Sequence, residues 1–234
     1  MHFEDPLFWV AILKIIWINI LLSGDNAVVI ALACRSLPDQ QRKWGIILGA
    51  AAATILRILF TGITAQLMAF PYLKLAGGIA LLWIAVKLLV PEDENEEKVQ
   101  SSDNLWRAVG IVVVADLVMS LDNVIAIAAA AKGDNFLILF GLALSIPLVI
   151  AGSSLVLKLL DRFPWLVWAG AGLLGWVAGE MMIDDSALPG YVGAIPAAAH
   201  YIAAVAGAAL VLAVGHFIKR NREAAHAASP ESST

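Results

Sequence analysis

The sequence predicts an all-α polytopic membrane protein with seven transmembrane helices, built from two inverted three-helix repeats plus one extra C-terminal helix. The first observation is composition: 61% of the 234 residues are hydrophobic, 15% are charged, and the mean hydropathy is +0.84. Soluble domains carry about 45–50% apolar and about 25% charged residues. The second observation is seven apolar stretches near the roughly 20 residues that cross a bilayer. The third is an internal repeat within those stretches.

Each predicted helix is one apolar stretch between polar or proline-containing gaps, where proline does least harm to a helix. The stretches are residues 7–34, 44–70, 72–90, 105–131, 136–157, 165–183 and 197–218. The domain organisation follows from these stretches and from the repeat. It comprises the first repeat (1–90), an acidic cytoplasmic linker (91–104), the second repeat (105–190), the seventh helix (191–220) and a disordered cytoplasmic tail (221–234).

The distribution of Lys and Arg orients the predicted bundle. One side holds only Lys74 and Lys132. The other side holds Arg35, Arg42, Lys43, Lys98, Arg107, Lys158, Arg162, Lys219, Arg220 and Arg222. Because cytoplasmic loops of membrane proteins carry the excess of basic residues, the N-terminus is predicted outside and the C-terminus in the cytoplasm.

Two near-copies of one polar motif interrupt the first and fourth spans. Residues 22–27 read Leu-Ser-Gly-Asp-Asn-Ala, and residues 119–124, offset by 97 positions, read Met-Ser-Leu-Asp-Asn-Val. A carboxylate within a hydrocarbon-length segment costs several kcal/mol unless it has partners, so Asp25 and Asp122 mark a functional site by default. The alternative is a structural role, in which these buried polar groups fix helix register.

A second match shows that the repeat is inverted. The Ala76-Gly77 region of the third span aligns with the Ala169-Gly170 region of the sixth, offset by 93 positions. Spans one to three therefore correspond to spans four to six, and an odd number of crossings gives the two copies opposite orientations. Inverted repeats are typical of alternating-access transporters whose substrate site lies near the midplane.

The motifs predict an oxygen-ligand metal site. On regular helices Asn19 would share a face with the first motif and Asp116 with the second. Ser, Gly, Asp and Asn favour helix poorly, so we expect spans one and four to be unwound at the motifs. All-oxygen sites suit Mg²⁺, Ca²⁺ or Mn²⁺, and the single Cys34 makes a thiolate cluster implausible. The candidate metal ligands are Ser23, Asp25, Asn26, Asp116, Ser120, Asp122 and Asn123.

Three further charges within the spans are candidates for charge balance or gating. Arg57 follows a stripe of small residues at i+4 spacing, which marks close helix packing, so we expect it to face the bundle and reach an Asp. Lys87 and Glu180 are equivalent in the repeat, and each lies four residues after a Trp. They either extend to opposite interfaces or switch ion-pair partners during gating.

Three smaller features have two interpretations each. Asp184 and Asp185 are expected to be solvated, with an exit role as the alternative. His200 and His216 are expected to pack at an interface, with ligation as the alternative. The small-residue ridge of Ala171, Gly175 and Gly179 serves either dimerisation or internal packing.

The paired motifs and the Gly77-Gly78 and Leu82-Trp83 region resemble the TerC family of integral membrane proteins, more closely its YjbE-type branch. The resemblance covers roughly residues 7–185. It implies a seven-span inner-membrane protein linked to manganese export and metal homeostasis, with Asp25, Asp116 and Asp122 as metal-site acids. Asn19 is an amide where the matching family position is acidic.

We therefore expect a bacterial inner-membrane exporter of a divalent cation, with Mn²⁺ as cargo, protons as a candidate coupling ion and no prosthetic group. The alternative is a non-transporting membrane factor that binds metal and metallates or assembles secreted or membrane proteins. Export of an organic solute is a third reading, but the core lacks the aromatic and acceptor variety such recognition needs. An enzyme is the least favoured class, because no nucleophile–base pair and no His lie near the acids. We expect no nucleic-acid partner, and a homodimer is an open hypothesis.

Overall fold

The computed structural model describes residues 6–61, 70–90, 101–130, 135–193 and 195–228. Within these ranges the chain is helical, and its elements are joined by short turns. The helices are α1 (Pro6–Cys34), α2 (Asp39–Thr61), α3 (Leu73–Leu89), α4 (Ser101–Ala130), α5 (Asn135–Arg162), α6 (Leu166–Ile183), α7 (Leu188–Val192) and α8 (Ala197–Ala228).

Each predicted apolar stretch overlaps one of the seven long helices, although residues 62–69 of the second stretch and residue 131 of the fourth lie outside the described residues. The ends differ most at α8, which continues to Ala228 although the seventh span was predicted to end at 220. The first part of the predicted disordered tail, residues 221–228, is therefore helical. Ala, Arg and Glu dominate this segment, and all three are strong helix formers.

The helices carry the hydropathy expected of a multi-pass membrane protein. In the described part of the chain, three segments are long and apolar enough to cross a bilayer: Phe136–Arg162, Leu166–Ile183 and Ala197–Asn221. A fourth qualifies if the two bent halves of α1 count as one span. Large apolar side chains such as Leu59 and Ile202 lie exposed on the outer surface, where lipid would cover them. The seven-span count stays a prediction.

The two motif helices differ from the predicted unwinding. Helix α4 runs without interruption through the second motif, so the prediction of an unwound segment is wrong there. Helix α1 is also helical through the first motif, but it bends by 40° between Ile12–Ile18 and Ser23–Cys34. The second motif has Leu121 where the first has Gly24, and Leu favours helix far more than Gly does.

Helix packing pairs elements from the two halves of the chain. Helix α1 packs on α5 and α4, α2 packs on α4 and α5, and α3 packs on α6. Helix α8 lies along α6 and also contacts α3. One apolar cluster draws side chains from all seven long helices, with Leu32, Leu81 and Leu174 almost fully buried at its centre.

The small-residue ridge of α6 is used for internal packing. A Cβ atom added at Gly175 would lie 2.6 Å from the Gly207 carbonyl oxygen, and one added at Gly179 would lie 2.1 Å from the Ala203 carbonyl oxygen. The α6 and α8 backbones therefore touch directly, as small residues permit in membrane helix pairs. Of the two interpretations, packing is correct, and the ridge is covered by α8.

Candidate functional site

A buried ion pair joins α2 to α4 at the centre of the site. Arg57 Nη2 donates a hydrogen bond to Asp116 Oδ1, and both side chains are more than nine-tenths buried. The approach of the two helices depends on small residues of α2, because a Cβ at Gly49 would lie 3.1 Å from Val112 Cγ1. The structure agrees with the expectation that Arg57 faces the bundle and reaches an Asp.

The first motif lies beside this ion pair. The Asp25 carboxylate is half-buried, interacts electrostatically with Arg57 and Asp116, and accepts the Asn26 backbone N–H at 2.8 Å. Ser23 and Asn26 are buried, with exposed fractions of 7% and 4%. The structure thus places Asp116 in direct contact with Arg57 and Asp25 within electrostatic range of that pair.

The second motif lies on α4, within the same group of helices. Ser120, Asp122 and Asn123 belong to that helix, but their side chains lie outside the described part of the structure. Among the side chains that are described, no three of His, Cys, Asp and Glu form a group that could hold a metal ion. Asp25 and Asp116 contribute two such groups, and the predicted ligand set stays a prediction.

The cluster holds more acidic than basic groups among the described side chains. Removing two charges from water costs several kcal/mol per ion, and their attraction in the interior compensates only when the geometry is good. Here Asp116 pairs directly with Arg57, and Asp25 lies within electrostatic range of both, so two acidic groups share one basic group. Such an arrangement attracts a cation and repels an anion.

The two other gating candidates lie at different ends of the α3–α6 pair. Lys87 is in the last turn of α3, and its ammonium lies 4.9 Å from the centre of the Trp83 ring, within the range of a cation–π contact. Gly78, near the start of α3, lies against Ala178 and Met182 of α6. Glu180 of α6 is therefore level with the first turns of α3. The proposed partner switching stays a prediction.

Asp185, expected to be solvated, is in fact buried with an exposed fraction of 1%. Its Oδ1 accepts the backbone N–H of Tyr72 at 2.9 Å and of Ala187 at 2.8 Å, and its Oδ2 accepts the N–H of Leu75 at 3.0 Å. The residue therefore acts as a remote N-cap for α3. Burial alone raises the pKa of the Asp185 carboxyl, but these backbone donors hold it below its ordinary value.

Asp184 and the two histidines have different surroundings. Asp184 is exposed, as expected, and its Oδ1 lies 2.9 Å from His200 Nε2, which links α8 to the end of α6. His200 is thus an ion-pair or hydrogen-bond partner, which neither of its two interpretations included. His216 lies beside Trp168, with ring centres 6.4 Å apart, in agreement with a packing role.

Two polar residues with structural importance were missed by the sequence analysis. Asp185 had one available signal: α3 begins at Pro71-Tyr72 and lacks a local Ser, Thr, Asp or Asn cap, so its first N–H groups need a distant acceptor. Arg42 had none, because its role depends on tertiary contacts. It donates to the carbonyls of Leu37 and Arg35 and to Asp161 Oδ2.

The fold and the buried cluster define an integral membrane protein with a charged centre inside an apolar helical bundle. The chain belongs to the TerC family, because the model of the integral membrane protein TerC family matches residues 4–223. This confirms the resemblance that the paired motifs indicate.

Several curated bacterial proteins are similar to this chain. The uncharacterized membrane protein YjbE of Bacillus subtilis (strain 168) is 45% identical over 181 residues, which cover 77% of this chain and 83% of that protein. The uncharacterized membrane protein YceF of the same organism is 29% identical, over 94% of this chain and 86% of its own length. The UPF0053 inner membrane protein YgdQ of Escherichia coli (strain K12) is 25% identical, over 77% and 83%. No solved structure matches the chain.

Proposed function

We propose that this protein exports a divalent metal cation, with Mn²⁺ as the favoured cargo, across the bacterial inner membrane by alternating access. The observation that carries the proposal is the buried Arg57–Asp116 ion pair with Asp25 beside it. Charged groups inside a membrane bundle are costly and typically mark an ion pathway. A guanidinium that already neutralises Asp116 can take the place of a transported cation at that carboxylate.

Charge balance gives Arg57 its proposed role. When the site is empty of metal, Arg57 compensates Asp116. When a divalent cation binds between Asp25 and Asp116, the positive charge of Arg57 is no longer needed there, so its side chain moves away from the carboxylates. Arg57 returns when the cation leaves, which keeps Asp116 compensated in both states.

The remaining ligands in the proposal come from both motifs. Ser23 and Asn26 are buried next to Asp25, and Ser120, Asp122 and Asn123 would complete the shell from α4. Carboxylate, amide and hydroxyl oxygens suit Mn²⁺, Mg²⁺ and Ca²⁺ better than Zn²⁺ or Cu⁺. Membership of the TerC family favours manganese among these. Carboxylates that lose a metal ion can take up protons, so the proton gradient is the proposed driving force.

Seven spans and an inverted repeat are part of the same proposal. Helix pairing supports the repeat, because α1 packs on α5 as α4 packs on α2, while α3 packs on its counterpart α6. The basic residues place the N-terminus outside and the C-terminus in the cytoplasm. The carboxylates of the two motifs would then lie on either side of the midplane.

The test is metal flux in liposomes. The purified protein is reconstituted, and Mn²⁺ entry is followed with a trapped fluorescent indicator, with Mg²⁺, Ca²⁺ and Zn²⁺ as competitors. We expect Asp25→Asn, Asp116→Asn and Asp122→Asn each to reduce the flux to that of empty liposomes. The matched control is Asp39→Asn, because the Asp39 side chain is 96% exposed at the start of α2.

Two results would contradict the proposal. Unchanged flux in the motif variants would exclude the paired acids as the transport site. Measurable Mn²⁺ binding without flux in the unaltered protein would exclude an autonomous exporter. The second result would instead favour the metal-binding factor that metallates secreted or membrane proteins.

A further inference from the structure

The two sequence repeats are interleaved in space. Helix α1 of the first half packs on α5 and α4 of the second, and α2 packs on α4 and α5. These contacts are more extensive than those of α1 with α2 or of α4 with α5. A movement of helices α1–α3 as one unit against α4–α6 would therefore separate the most closely packed pairs.

Packing instead divides the long helices into two groups. The core group consists of α1, α2, α4 and α5, and the scaffold group consists of α3, α6 and α8. Contacts between the groups are sparser: α3 with α4, α1 with α6, and a small contact of α5 with α6. Each group thus contains helices from both repeats.

Polar contacts bind the core group together. Arg57 joins α2 to α4 through Asp116. Arg42 at the start of α2 donates to the turn after α1 at the Leu37 carbonyl, 2.8 Å away, and to Asp161 of α5, 3.1 Å away. Arg57 thus links α2 to α4, and Arg42 links α2 to the turn after α1 and to α5. These polar contacts add to the apolar packing among the four core helices.

The scaffold group has its own set of contacts. Asp185, just after α6, caps the start of α3, and Asp184 pairs with His200 of α8. The α6 and α8 backbones touch at Gly175 and Gly207. Each of these contacts joins helices of the same group.

Two glycines lie at the boundary between the core group and the scaffold group. A Cβ at Gly77 of α3 would lie 3.0 Å from Val118 Cγ1 of α4, and a Cβ at Gly170 of α6 would lie 3.1 Å from Val28 Cγ1 of α1. Gly77 and Gly170 are equivalent in the sequence repeat, offset by 93. At both places a scaffold backbone without a side chain faces a branched side chain of a motif helix. The Gly77 Cβ would also lie 2.5 Å from Met181 Cε of α6, within the scaffold group itself.

We infer that the core group moves as one body against the scaffold group, with Gly77 and Gly170 as the two sliding contacts. The inference rests on the proposed transport function and specifies its moving parts. Asp25, Arg57, Asp116 and both motifs lie on core helices, so the whole site travels with the core group. The moving units are therefore different from the two repeats.

Disulfide cross-links can test this division in a Cys34→Ser background, since Cys34 is the chain's single cysteine. The boundary pairs are Gly77→Cys with Val118→Cys and Gly170→Cys with Val28→Cys. The matched controls lie within one group. They are Gly172→Cys with Leu212→Cys in the scaffold, where the Gly172 Cβ would lie 3.6 Å from Leu212 Cδ1, and Gly49→Cys with Val112→Cys in the core, where the two Cβ atoms would lie 3.4 Å apart.

Mn²⁺ flux is measured for each pair after oxidation and again after reduction. We expect oxidation of either boundary pair to stop the flux and reduction to restore it, while the control pairs keep their flux when oxidised. Full flux through protein with an intact boundary disulfide would overturn the inference. So would a loss of flux in the oxidised Gly49/Val112 pair equal to that of the boundary pairs.

A second readout separates this inference from the proposed function. The rate of disulfide formation is measured with and without Mn²⁺, independently of flux. One outcome is that Mn²⁺ changes the rate of disulfide formation at least about threefold at the boundary pairs alone, while the reduced protein shows no flux. This outcome would support the two moving groups and refute export. Equal rates with and without Mn²⁺ at every pair would refute the two bodies, whatever the flux.

Discussion

Replacement of Gly179 by Ala tests how tightly α6 and α8 are packed. The added Cβ would lie 2.1 Å from the Ala203 carbonyl oxygen and 2.9 Å from the Ala204 Cα, and both are backbone atoms that cannot rotate away. The oxygen contact is about 0.9 Å shorter than the 3.0 Å that real Cβ atoms respect. The helices must therefore separate by roughly 1 Å, and a gap of 0.5–1 Å forfeits about a quarter to a half of each contact energy.

The matched control is Gly172→Ala on the same helix. Its Cβ would lie 3.6 Å from Leu212 Cδ1, an ordinary van der Waals distance. Both variants gain the same helix propensity of up to about 1 kcal/mol, so the difference between them isolates packing. Overpacking costs about 1–3 kcal/mol, and each kcal/mol shifts the midpoint of a chain of this size by about 2–4 °C.

The assay is thermal unfolding in detergent, followed by the fluorescence of the eight Trp residues. We expect Gly179→Ala to unfold about 2–12 °C below Gly172→Ala. Equal midpoints would refute the argument that the two backbones touch at Gly179. The assignment of α8 to the scaffold group would then rest on the Asp184–His200 contact and the remaining α6–α8 packing.

The other predictions concern the two buried carboxylates and use the same unfolding assay. Arg57→Gln removes the charge opposite Asp116 and should cost about 3–5 kcal/mol, and the double variant with Asp116→Asn should recover most of it; a double variant as unstable as the single one would contradict this. Asp185→Ala should cost about 0.5–2 kcal/mol through the lost cap of α3, and a cost near zero would exclude that role. Because the folded pKa of Asp185 lies below its unfolded value, its stabilisation relative to Asp185→Asn should be complete well above pH 4 and should decline as the pH falls through the folded pKa. A difference that stays constant down to pH 2 would refute the ionised cap.

Much of the fold follows from local sequence. Apolar stretches of membrane-spanning length predict all seven long helices, because each helix satisfies its own backbone hydrogen bonds and needs no partner to be recognised. The i+4 stripe before Arg57 likewise predicts a residue that faces the bundle. In each case the signal and the structure lie within the same segment of chain.

The remaining features depend on residues far apart in the sequence. Asp185 caps a helix that begins more than 100 residues earlier, at Leu73. The small-residue ridge of α6 could pack on α8 or on another molecule. The choice depends on the position of α8, which the sequence of the ridge does not predict. The bend of α1 falls between Ile18 and Ser23, just before Gly24, whereas α4 is a continuous helix through the second motif, which has Leu121 at the corresponding position. The poor helix formers of both motifs predict an interruption in each helix. Composition alone does not determine whether the helix is bent or continuous there.

The interleaved pairing has a consequence for how the chain is assembled during synthesis. In the proposed seven-span arrangement, Arg57 enters the membrane with α2, but its partner Asp116 lies 59 residues later and arrives only with α4. Until then the inserted first half holds an arginine among lipids without that counter-charge, at a cost of about 2.5–3.5 kcal/mol on insertion scales. Helix α1 must also wait for α5 before its main packing surface is covered. The first three helices therefore form one repeat of the sequence but do not pack as a separate unit. Their main contacts form only after helices of the second repeat, such as α5, have been synthesised.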